Sequence, residues 1–431
     1  MRYYSLQHQS PMVDFKVATI QGQAPDKGLY FPERIPVHSR EFFDNEQGRS
    51  FIDLSFELIR PYVGGTIPDA ELFRIVSETL NFPIPLVQLD ERMFTLEMFH
   101  GRTLAFKDIG ARFMSRCLGH FVQDVQKKIT VLVATSGDTG GAVADGFYGV
   151  EGVEVVILFP KGKVSAVQRK QLTTHGANIR AVEVNGNFDD CQTMVKQAFA
   201  DETLKSSLFL TSANSINIAR WLPQQFFYLT AWLQWPDKEH PPVISVPSGN
   251  FGNICAGLLC QQSGLPIRHF LAACNANRTV PDFLETGEYR SRKAIPTLSN
   301  AMDVGDPSNF IRILHLFEST GHSLHESLSA YSYSDEQTGN ALADLANNYA
   351  YSADPHGAVG YLALKEYLHN HSGIKGIFAE TAHPIKFEHS LLPVSAENRE
   401  MPEAIKKIML LPEKADNIEP QYLMLKELLL S

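Results

Sequence analysis

The sequence has 431 residues, which is enough for two or three domains of ordinary size. It is 44% hydrophobic and 20% charged, with 29 Gly and 24 Pro, and this composition excludes wholesale disorder and collagen. The formal net charge is -10, and no basic block is long enough to follow a nucleic-acid backbone, so we expect no nucleic-acid partner. No apolar run approaches the ~18 residues of a membrane span, and the first residues do not resemble a secretory signal. We therefore expect a soluble, cytoplasmic protein without a membrane partner, and nothing in the sequence indicates an obligate protein partner.

The cysteines and two histidines favour structural roles over metal binding. The spacing of the five cysteines matches no zinc or disulfide framework, so we predict reduced, packed thiols and no metal site. His356 and His383 have no partner at metal spacing and are expected to be satisfied by hydrogen bonds. The cysteines in question are Cys117, Cys191, Cys255, Cys260 and Cys274.

Two regions are predicted along the chain. Residues 1–95 mix helix-like segments with proline-rich turns and carry no glycine loop between apolar runs, so we interpret them as a separate N-terminal region. Residues 96–431 form the remaining body. Within it, apolar runs typical of buried strands alternate with glycine or hydroxyl-rich turns and helix-like stretches. This alternation predicts an α/β fold with parallel sheets covered by helices on both faces, whose ligands bind at the carboxyl ends of strands.

The first turn of interest is ATSGDTGG, at 134–141, between a predicted strand and a predicted helix. Its hydroxyls and backbone N–H groups at a helix start suit an anion such as a carboxylate. It has neither the ending of a P-loop nor the GxGxxG spacing of a dinucleotide fold, which disfavours nucleotide binding. A purely structural turn capped by Ser136 or Thr139 is an equally open interpretation.

The second turn, SGNFGN at 248–253, also follows a predicted strand and opens a helix. Gly249 and Gly252 permit close approach of the backbone to a phosphate, although a turn of this length also occurs for structural reasons.

Lys107 lies in the apolar setting of LAFKDIGARF. Burial there would depress the pKa of its amine and favour Schiff-base chemistry, but a lone lysine is more often a solvated charge.

Six motifs, including the two turns and the Lys107 segment described above, occur in an order that resembles the threonine synthase family. GLYFPE at 28–33 is similar to the N-terminal segment of that family. The resemblance implies a two-lobed parallel-sheet fold of the tryptophan-synthase-β type with an extra N-terminal region, and pyridoxal 5'-phosphate as cofactor. It also implies conversion of O-phospho-L-homoserine and water into L-threonine and phosphate. The motifs are HGRTLAFKD (100–108), ATSGDTG (134–140), SANSINIAR (212–220), VPSGNFGN (246–253), LSNAMDV (298–304) and ETAHP (380–384).

The resemblance also implies roles for individual residues. Lys107 resembles the lysine that binds the cofactor covalently, and Thr381 resembles the hydroxyl near its pyridine nitrogen. Asp138 stands where the wider fold type commonly has asparagine beside the 3-oxygen of the cofactor, and whether this aspartate is neutral or charged stays open. The loop that cups the cofactor's phosphate is represented by Ser248, Gly249, Asn250, Phe251, Gly252 and Asn253. The residues implied to bind the substrate carboxylate are Ser136, Gly137 and Thr139, and the candidates for the substrate phosphate are Lys163, Ser212, Asn214 and Asn217.

One residue departs from the family pattern, and two other functions stay open. Arg102 stands where the family generally has proline, which places the shape of that loop in question. The rival enzyme is a threonine or serine dehydratase of the same fold type, which would form ammonia and a 2-keto acid. A binding protein that keeps the cofactor pocket without turnover is a different class of function.

Overall fold

The computed structural model describes residues 1–122, 129–390 and 401–431 as a mixed α/β structure. The α-helices are α1 Phe15–Gln21, α2 Arg40–Asp44, α3 Phe51–Val63, α4 Asp69–Thr79, α5 Lys107–Val122, α6 Asp138–Phe147, α7 Ala166–Thr173, α8 Phe188–Ala200, α9 Glu202–Ser207, α10 Ile218–Trp221, α11 Gln225–Gln234, α12 Gly252–Gln262, α13 Thr279–Thr286, α14 Phe310–Thr320, α15 Leu324–Ser327, α16 Asp335–Tyr349, α17 Pro355–Asn370, α18 Glu403–Met409 and α19 Tyr422–Leu430. Within the described part of the chain, no helix is both long and apolar enough to cross a bilayer.

The strands form two large sheets and one small ribbon. The strands are β1 Tyr3–Ser5, β2 Tyr30–Pro32, β3 Leu86–Gln88, β4 Met93–Glu97, β5 Ile129–Ala134, β6 Val153–Pro160, β7 Ile179–Val184, β8 Phe209–Thr211, β9 Val243–Pro247, β10 His269–Cys274, β11 Leu328–Ser332, β12 Gly376–Glu380 and β13 Asp416–Ile418. One sheet has the order β11-β10-β9-β12-β4-β3 and the other β13-β7-β6-β5-β8. All neighbours pair in parallel except β3 with β4, and β1 pairs with β2 in an antiparallel ribbon.

Both faces of each large sheet are buried, which explains the continuous apolar runs. In β5, Val131 and Val133 belong to the core shared with Phe113 of α5, whereas Leu132 faces the cluster around Met194 of α8. Successive side chains of a strand point to opposite faces, so both faces favour apolar residues. The strands predicted from 129–134, 153–159 and 178–184 are confirmed as β5, β6 and β7.

The helices begin closer to the glycine turns than the sequence pattern indicated. α6 starts at Asp138 and α12 at Gly252, inside the motifs that were interpreted as turns. α7 has the predicted Ser165 cap but ends at Thr173, before Gly176. Because both motifs contribute the first residues of helices, their backbone N–H groups include those of helix N-termini.

The strand order brings the important motifs together. In the six-stranded sheet, β9, β12 and β4 are parallel neighbours. Their carboxyl ends lead into the 248–253 turn, the segment beginning at Thr381, and the loop before Lys107, respectively. In the other sheet β5 ends at the 135–137 turn. A crevice at carboxyl ends is where parallel sheets bind ligands.

The N-terminal segment packs onto this body through a common core. Phe15 of α1 and Tyr62 of α3 lie in the same apolar cluster as Phe113 of α5. The predicted boundary near residue 95 falls inside β4, a member of the six-stranded sheet. All five cysteines are buried and free, in line with packed thiols.

Candidate active site

The loop before Lys107 is held against the end of β12. The Phe106 N–H donates to the Thr381 carbonyl at 2.9 Å, and Ala105 forms an isolated antiparallel bridge with Ala382. Lys107 is the first residue of α5. These contacts fix the position of its backbone relative to the motif at 380–384.

The loop keeps a defined shape although Arg102 stands where the family generally has proline. The Thr103 N–H donates to Asp108 Oδ2 at 2.9 Å, and the Asp108 side chain is buried. The Arg102 side chain is 75% exposed, with its Nε 3.2 Å from Asp145 Oδ1. The Thr103 to Asp108 contact therefore shapes the loop without a proline ring.

Lys107 has the environment of a reactive amine. Its side chain is 17% exposed, and its Nζ lies 3.6 Å from Asp138 Oδ2. Burial lowers the pKa of the Lys107 amine; Asp138 opposes this, whereas the positive charges of Lys386 and Arg220 add to it. A lowered pKa leaves more of the amine unprotonated, the form that attacks an aldehyde and accepts a proton.

Asp138 is a buried, ionised carboxylate. Its Oδ1 accepts from Gln168 Nε2 at 3.0 Å and lies 2.8 Å from Lys386 Nζ. Burial alone would raise the pKa of Asp138, but the charges of Lys386 and Lys107 outweigh it and hold the pKa below its usual value. The sequence left open whether this aspartate is neutral, and the contacts favour the charged form.

The 135–139 turn exposes the start of α6. Gly137 has φ 137°, and a Cβ there would lie 2.5 Å from the Gln168 side chain, so glycine is required. Its N–H donates to Thr135 Oγ1 at 3.0 Å, and α6 begins without a side-chain cap. Ser136 and Thr139 are partly exposed beside this helix start. Thr135 Oγ1 also accepts from the Gly140 N–H at 2.9 Å, so the two hydroxyls and the remaining N–H groups of this turn are the donors that can bind a carboxylate.

The 248–253 turn is tightly packed and opens α12. Phe251 takes a left-handed conformation, φ 60°, and no side chain caps the helix. A Cβ on Gly249 would lie 2.7 Å from Met302 Cα, so the 299–303 segment closes over this turn. Gly252 is the first helical residue. A left-handed non-glycine residue is strained, and such strain concentrates at ligand sites.

The polar side chains of this turn maintain its shape. Ser248 donates to the carbonyl two residues earlier at 2.8 Å, and Asn250 accepts from the Ser308 hydroxyl at 3.0 Å. Asn253 accepts from the Tyr228 hydroxyl at 2.6 Å. With these side chains engaged, backbone N–H groups at the start of α12 are the donors available for a phosphate.

Behind Thr381 lies a buried acid and histidine network. The Asp354 N–H donates to Glu380 Oε1 at 2.6 Å, and Asp354 Oδ1 lies 2.5 Å from His356 Nδ1. His356 Nε2 accepts from the Ala301 N–H at 3.1 Å, so Nδ1 carries the proton. Burial, followed by the charge of Asp354, raises the pKa of Glu380 well above its usual value. His356 is thus satisfied structurally, as predicted.

The candidates for the substrate phosphate differ in exposure. Lys163 is exposed, Asn214 is partly exposed and Ser212 is buried. The Asn217 amide caps α10 and donates to the Thr19 carbonyl at 2.9 Å, so the fold already uses it. Of this set, Asn214 and Ser212 share the segment between β8 and α10.

Two buried cations near Lys107 were missed by the sequence reasoning. Lys386 has no exposed side-chain surface, and its Nζ donates to the Thr103 carbonyl at 2.8 Å. Arg220, 4% exposed, has an Nε without a hydrogen-bond partner among the described residues. The sequence did contain an indication of a buried Lys386. This lysine lies between two apolar residues directly after the ETAHP motif, much as Lys107 follows the apolar residues of LAFKD.

A cavity of about 760 Å³ borders the same loop but does not include Lys107. Arg102, Leu104 and His383 are among the residues that line it. We therefore locate the candidate site at the strand ends. The buried lysine lies there, and this cavity does not contain it.

Three family models cover most of the chain. A model described as pyridoxal-phosphate dependent enzyme matches residues 79–376. Models described as threonine synthase N terminus and threonine synthase, C-terminal match residues 2–80 and 357–428. The first model alone spans more than half of the sequence, which identifies the cofactor class.

Relatives match the chain over nearly its full length. Threonine synthase from Haemophilus influenzae is 42% identical over 431 residues, covering 100% of both chains. The crystal structure of threonine synthase from Escherichia coli has a TM-score of 0.92 at 41% identity, covering 100% of this chain and 99% of that one. The structure of pyridoxal-phosphate-bound threonine synthase from Brucella melitensis has a TM-score of 0.91 at 33% identity, covering 100% and 98%. The chain belongs to the threonine synthase family of pyridoxal-phosphate-dependent enzymes.

Proposed function

We propose that this chain converts O-phospho-L-homoserine and water into L-threonine and inorganic phosphate. The observation that carries the proposal is the buried Lys107 amine with a lowered pKa, placed where the ends of β4, β9 and β12 meet. The family membership of the full chain supports the same reaction. The donor set fits pyridoxal phosphate, because a reactive lysine and an uncapped helix start lie at one edge of the sheet.

The cofactor would contact the chain at four points. Lys107 would bind it covalently, and the N–H groups at the start of α12, within 248–253, would bind its phosphate. Asp138 would lie by its ring oxygen and Thr381 by its ring nitrogen. When bound, pyridoxal phosphate supplies an electron sink for charge that develops at the substrate's Cα.

Lys107 would perform the proton transfers. The reaction removes a proton at Cα, rearranges protons at Cβ and Cγ, and releases phosphate from Cγ before water adds at Cβ. A long, flexible amine reaches all three carbons, and its lowered pKa enlarges the unprotonated fraction that accepts a proton. The Thr381 hydroxyl, unlike a carboxylate, does not favour a protonated ring nitrogen, which moderates the sink.

The substrate's two anionic groups require two sites. We assign its carboxylate to the start of α6, with Ser136 and Thr139 as donors. Gly137 would shape this site through its backbone conformation, because its N–H already donates to Thr135 Oγ1. We assign its phosphate to the segment with Ser212 and Asn214, together with Lys163. Asn217 would maintain the shape of that segment, because its amide already bonds to the Thr19 carbonyl.

The test measures phosphate release from O-phospho-L-homoserine beside 2-keto acid formation from threonine. The proposal requires phosphate and L-threonine as the main products. Dominant keto-acid formation would assign the chain to dehydratase chemistry. Bound cofactor without either product would indicate a binding protein that lacks turnover.

The cellular setting belongs to the same proposal. Five free, buried cysteines suit a reducing compartment, and we place the enzyme in the cytoplasm. Fractionation of cells with activity measured in each fraction tests this placement, and activity confined to an oxidising compartment would contradict it.

A further inference from the structure

Asp138 lies between two lysines, and only one of them has a role in the proposed chemistry. Its Oδ2 is 3.6 Å from Lys107 Nζ, whereas its Oδ1 is 2.8 Å from Lys386 Nζ. Lys386 Nζ also donates to the Thr103 carbonyl at 2.8 Å, and its side chain is fully buried. A buried ammonium is costly unless it is paired, so this lysine requires an explanation.

A carboxylate beside Lys107 opposes the work of a base. A negative charge at this distance favours the protonated state of the Lys107 nitrogen, which has no lone pair for proton transfer. Lys386 supplies one positive charge on the other oxygen of the same carboxylate. At Lys107, the positive charge of Lys386 therefore offsets part of the negative charge of Asp138.

We propose that Lys386 is a positioning residue that neutralises Asp138, so that the pair orients Lys107 and the cofactor's ring oxygen without a net charge. The inference depends on the proposed function only in that Lys107 carries the cofactor. The contacts agree with it, because Asp138 keeps a fixed orientation through Lys386 and Gln168 on Oδ1, leaving Oδ2 toward Lys107.

Other charges also face Lys107 and enter the test. The positive charge of Arg220 lowers the pKa of Lys107 and the negative charge of Asp354 raises it, while burial has the largest effect and lowers it. Both groups stay in place in variants of Asp138 or Lys386. A change in the pH at which the Lys107 nitrogen is half protonated therefore reports the removed charge in those variants.

The experiment follows the absorbance of the bound cofactor against pH, without substrate, in three variants of the holoenzyme. The midpoint of this titration is the pH at which the nitrogen that joins Lys107 to the cofactor is half protonated. Lys386→Met leaves the Asp138 charge uncompensated, so the midpoint moves to higher pH. Asp138→Asn removes the negative charge, so the midpoint moves to lower pH. Asp138→Asn/Lys386→Met removes both charges, and its midpoint lies between the two and close to that of the unaltered protein.

Unfolding by urea gives a second readout. Each single variant leaves a buried charge without its partner and lowers the unfolding midpoint, whereas the double variant recovers part of the loss. Lys365→Met is the matched control: Lys365 is 54% exposed and pairs with Asp344 away from the site, so it should leave the absorbance midpoint unchanged.

An unchanged absorbance midpoint in a folded, cofactor-loaded Lys386→Met protein would overturn the proposal. If that variant does not fold, the comparison of Asp138→Asn with the double variant decides, and the proposal requires the second change to raise the midpoint. Because no substrate is present, a failure here is separate from a failure of the proposed reaction, which product analysis measures.

Discussion

At the scale of residues, the site depends on burial that alters the chemistry of ordinary side chains. Burial lowers the pKa of Lys107 and raises the pKa of Glu380, because in both cases it disfavours the charged form. The Lys107 amine loses its proton more readily, and the Glu380 carboxyl keeps its proton longer. Burial therefore favours the uncharged form of both groups.

The hydroxyls beside α6 give a direct test of the carboxylate site. Ser136→Ala and Thr139→Ala should each weaken substrate binding by about 1 to 3 kcal/mol, because each removes a hydrogen bond to a charged group. Substrate titration of the cofactor's absorbance measures the dissociation constant. Ser206→Ala, on α9, is the control and should bind as the unaltered protein does. An unchanged constant in both site variants would remove them from the carboxylate site.

The raised pKa of Glu380 predicts a pH-dependent stability. The folded state holds this proton more tightly than the unfolded chain, so the stabilisation is complete below an ordinary glutamate pKa of about 4.3 and is lost as pH rises through the folded-state pKa. Glu380→Gln should therefore gain stability relative to the unaltered protein between about pH 5 and pH 8. Urea unfolding at both pH values measures the difference.

The control for this prediction is Glu151→Gln, at an exposed turn. It should show the same stability difference at both pH values. A Glu380→Gln difference that is equally independent of pH would mean that this carboxyl is ionised in the folded protein.

At the scale of elements, two helix starts are the proposed anion-binding sites. α6 and α12 both begin without side-chain caps, and each start follows a strand end. In each case an unusual backbone conformation, at Gly137 or Phe251, turns the chain from strand to helix. In the proposed function, the remaining N–H groups of these first turns bind the anions.

Gly137→Ala should damage this geometry. The φ of 137° is accessible essentially to glycine alone, and the new Cβ would lie 2.5 Å from the Gln168 side chain, so we expect a loss of roughly 3 kcal/mol or more in unfolding free energy. Gly149→Ala separates the two causes: its φ is 74° and no atom lies within 4 Å, so the loss should be about 1 kcal/mol. Equal losses in urea unfolding would mean that the contact with Gln168 carries no cost.

The elements around the site were predictable where the pattern is local. Apolar runs located β5, β6 and β7, because a strand buried on both faces is predominantly apolar. Lys107 and the two glycine turns were found from their motifs. Lys386 and Arg220 were missed, because their proximity to Lys107 follows from strand order, which joins segments about 100 to 280 residues apart. The start of α6 at Asp138 was also missed, since its glycines conceal helix periodicity.

At the scale of the whole molecule, the site lies between structures that are distant in sequence. The six-stranded sheet supplies Lys107, Thr381 and the 248–253 turn, and the five-stranded sheet supplies the turn before α6. The N-terminal segment is tied to the 212–217 segment through the Thr19 carbonyl. A ligand bound at these strand ends would therefore contact segments from both large sheets.

Cofactor binding should stabilise the whole protein. A ligand that binds only the folded state adds about 2.7 kcal/mol at 100 times its dissociation constant. Pyridoxal phosphate should therefore raise the thermal midpoint of the cofactor-free protein. Lys107→Ala should show a smaller rise at the same concentration, because it lacks the covalent bond, and Lys365→Met should behave as the unaltered protein. An equal rise for Lys107→Ala would contradict covalent attachment there.

The most direct test of the account is the identity of the residue that carries the cofactor. Borohydride reduction of the holoenzyme, followed by peptide mass mapping, should locate the reduced cofactor on Lys107, the buried amine with the lowered pKa. Label on another lysine, Lys386 included, with Lys107 unmodified would contradict the assignment.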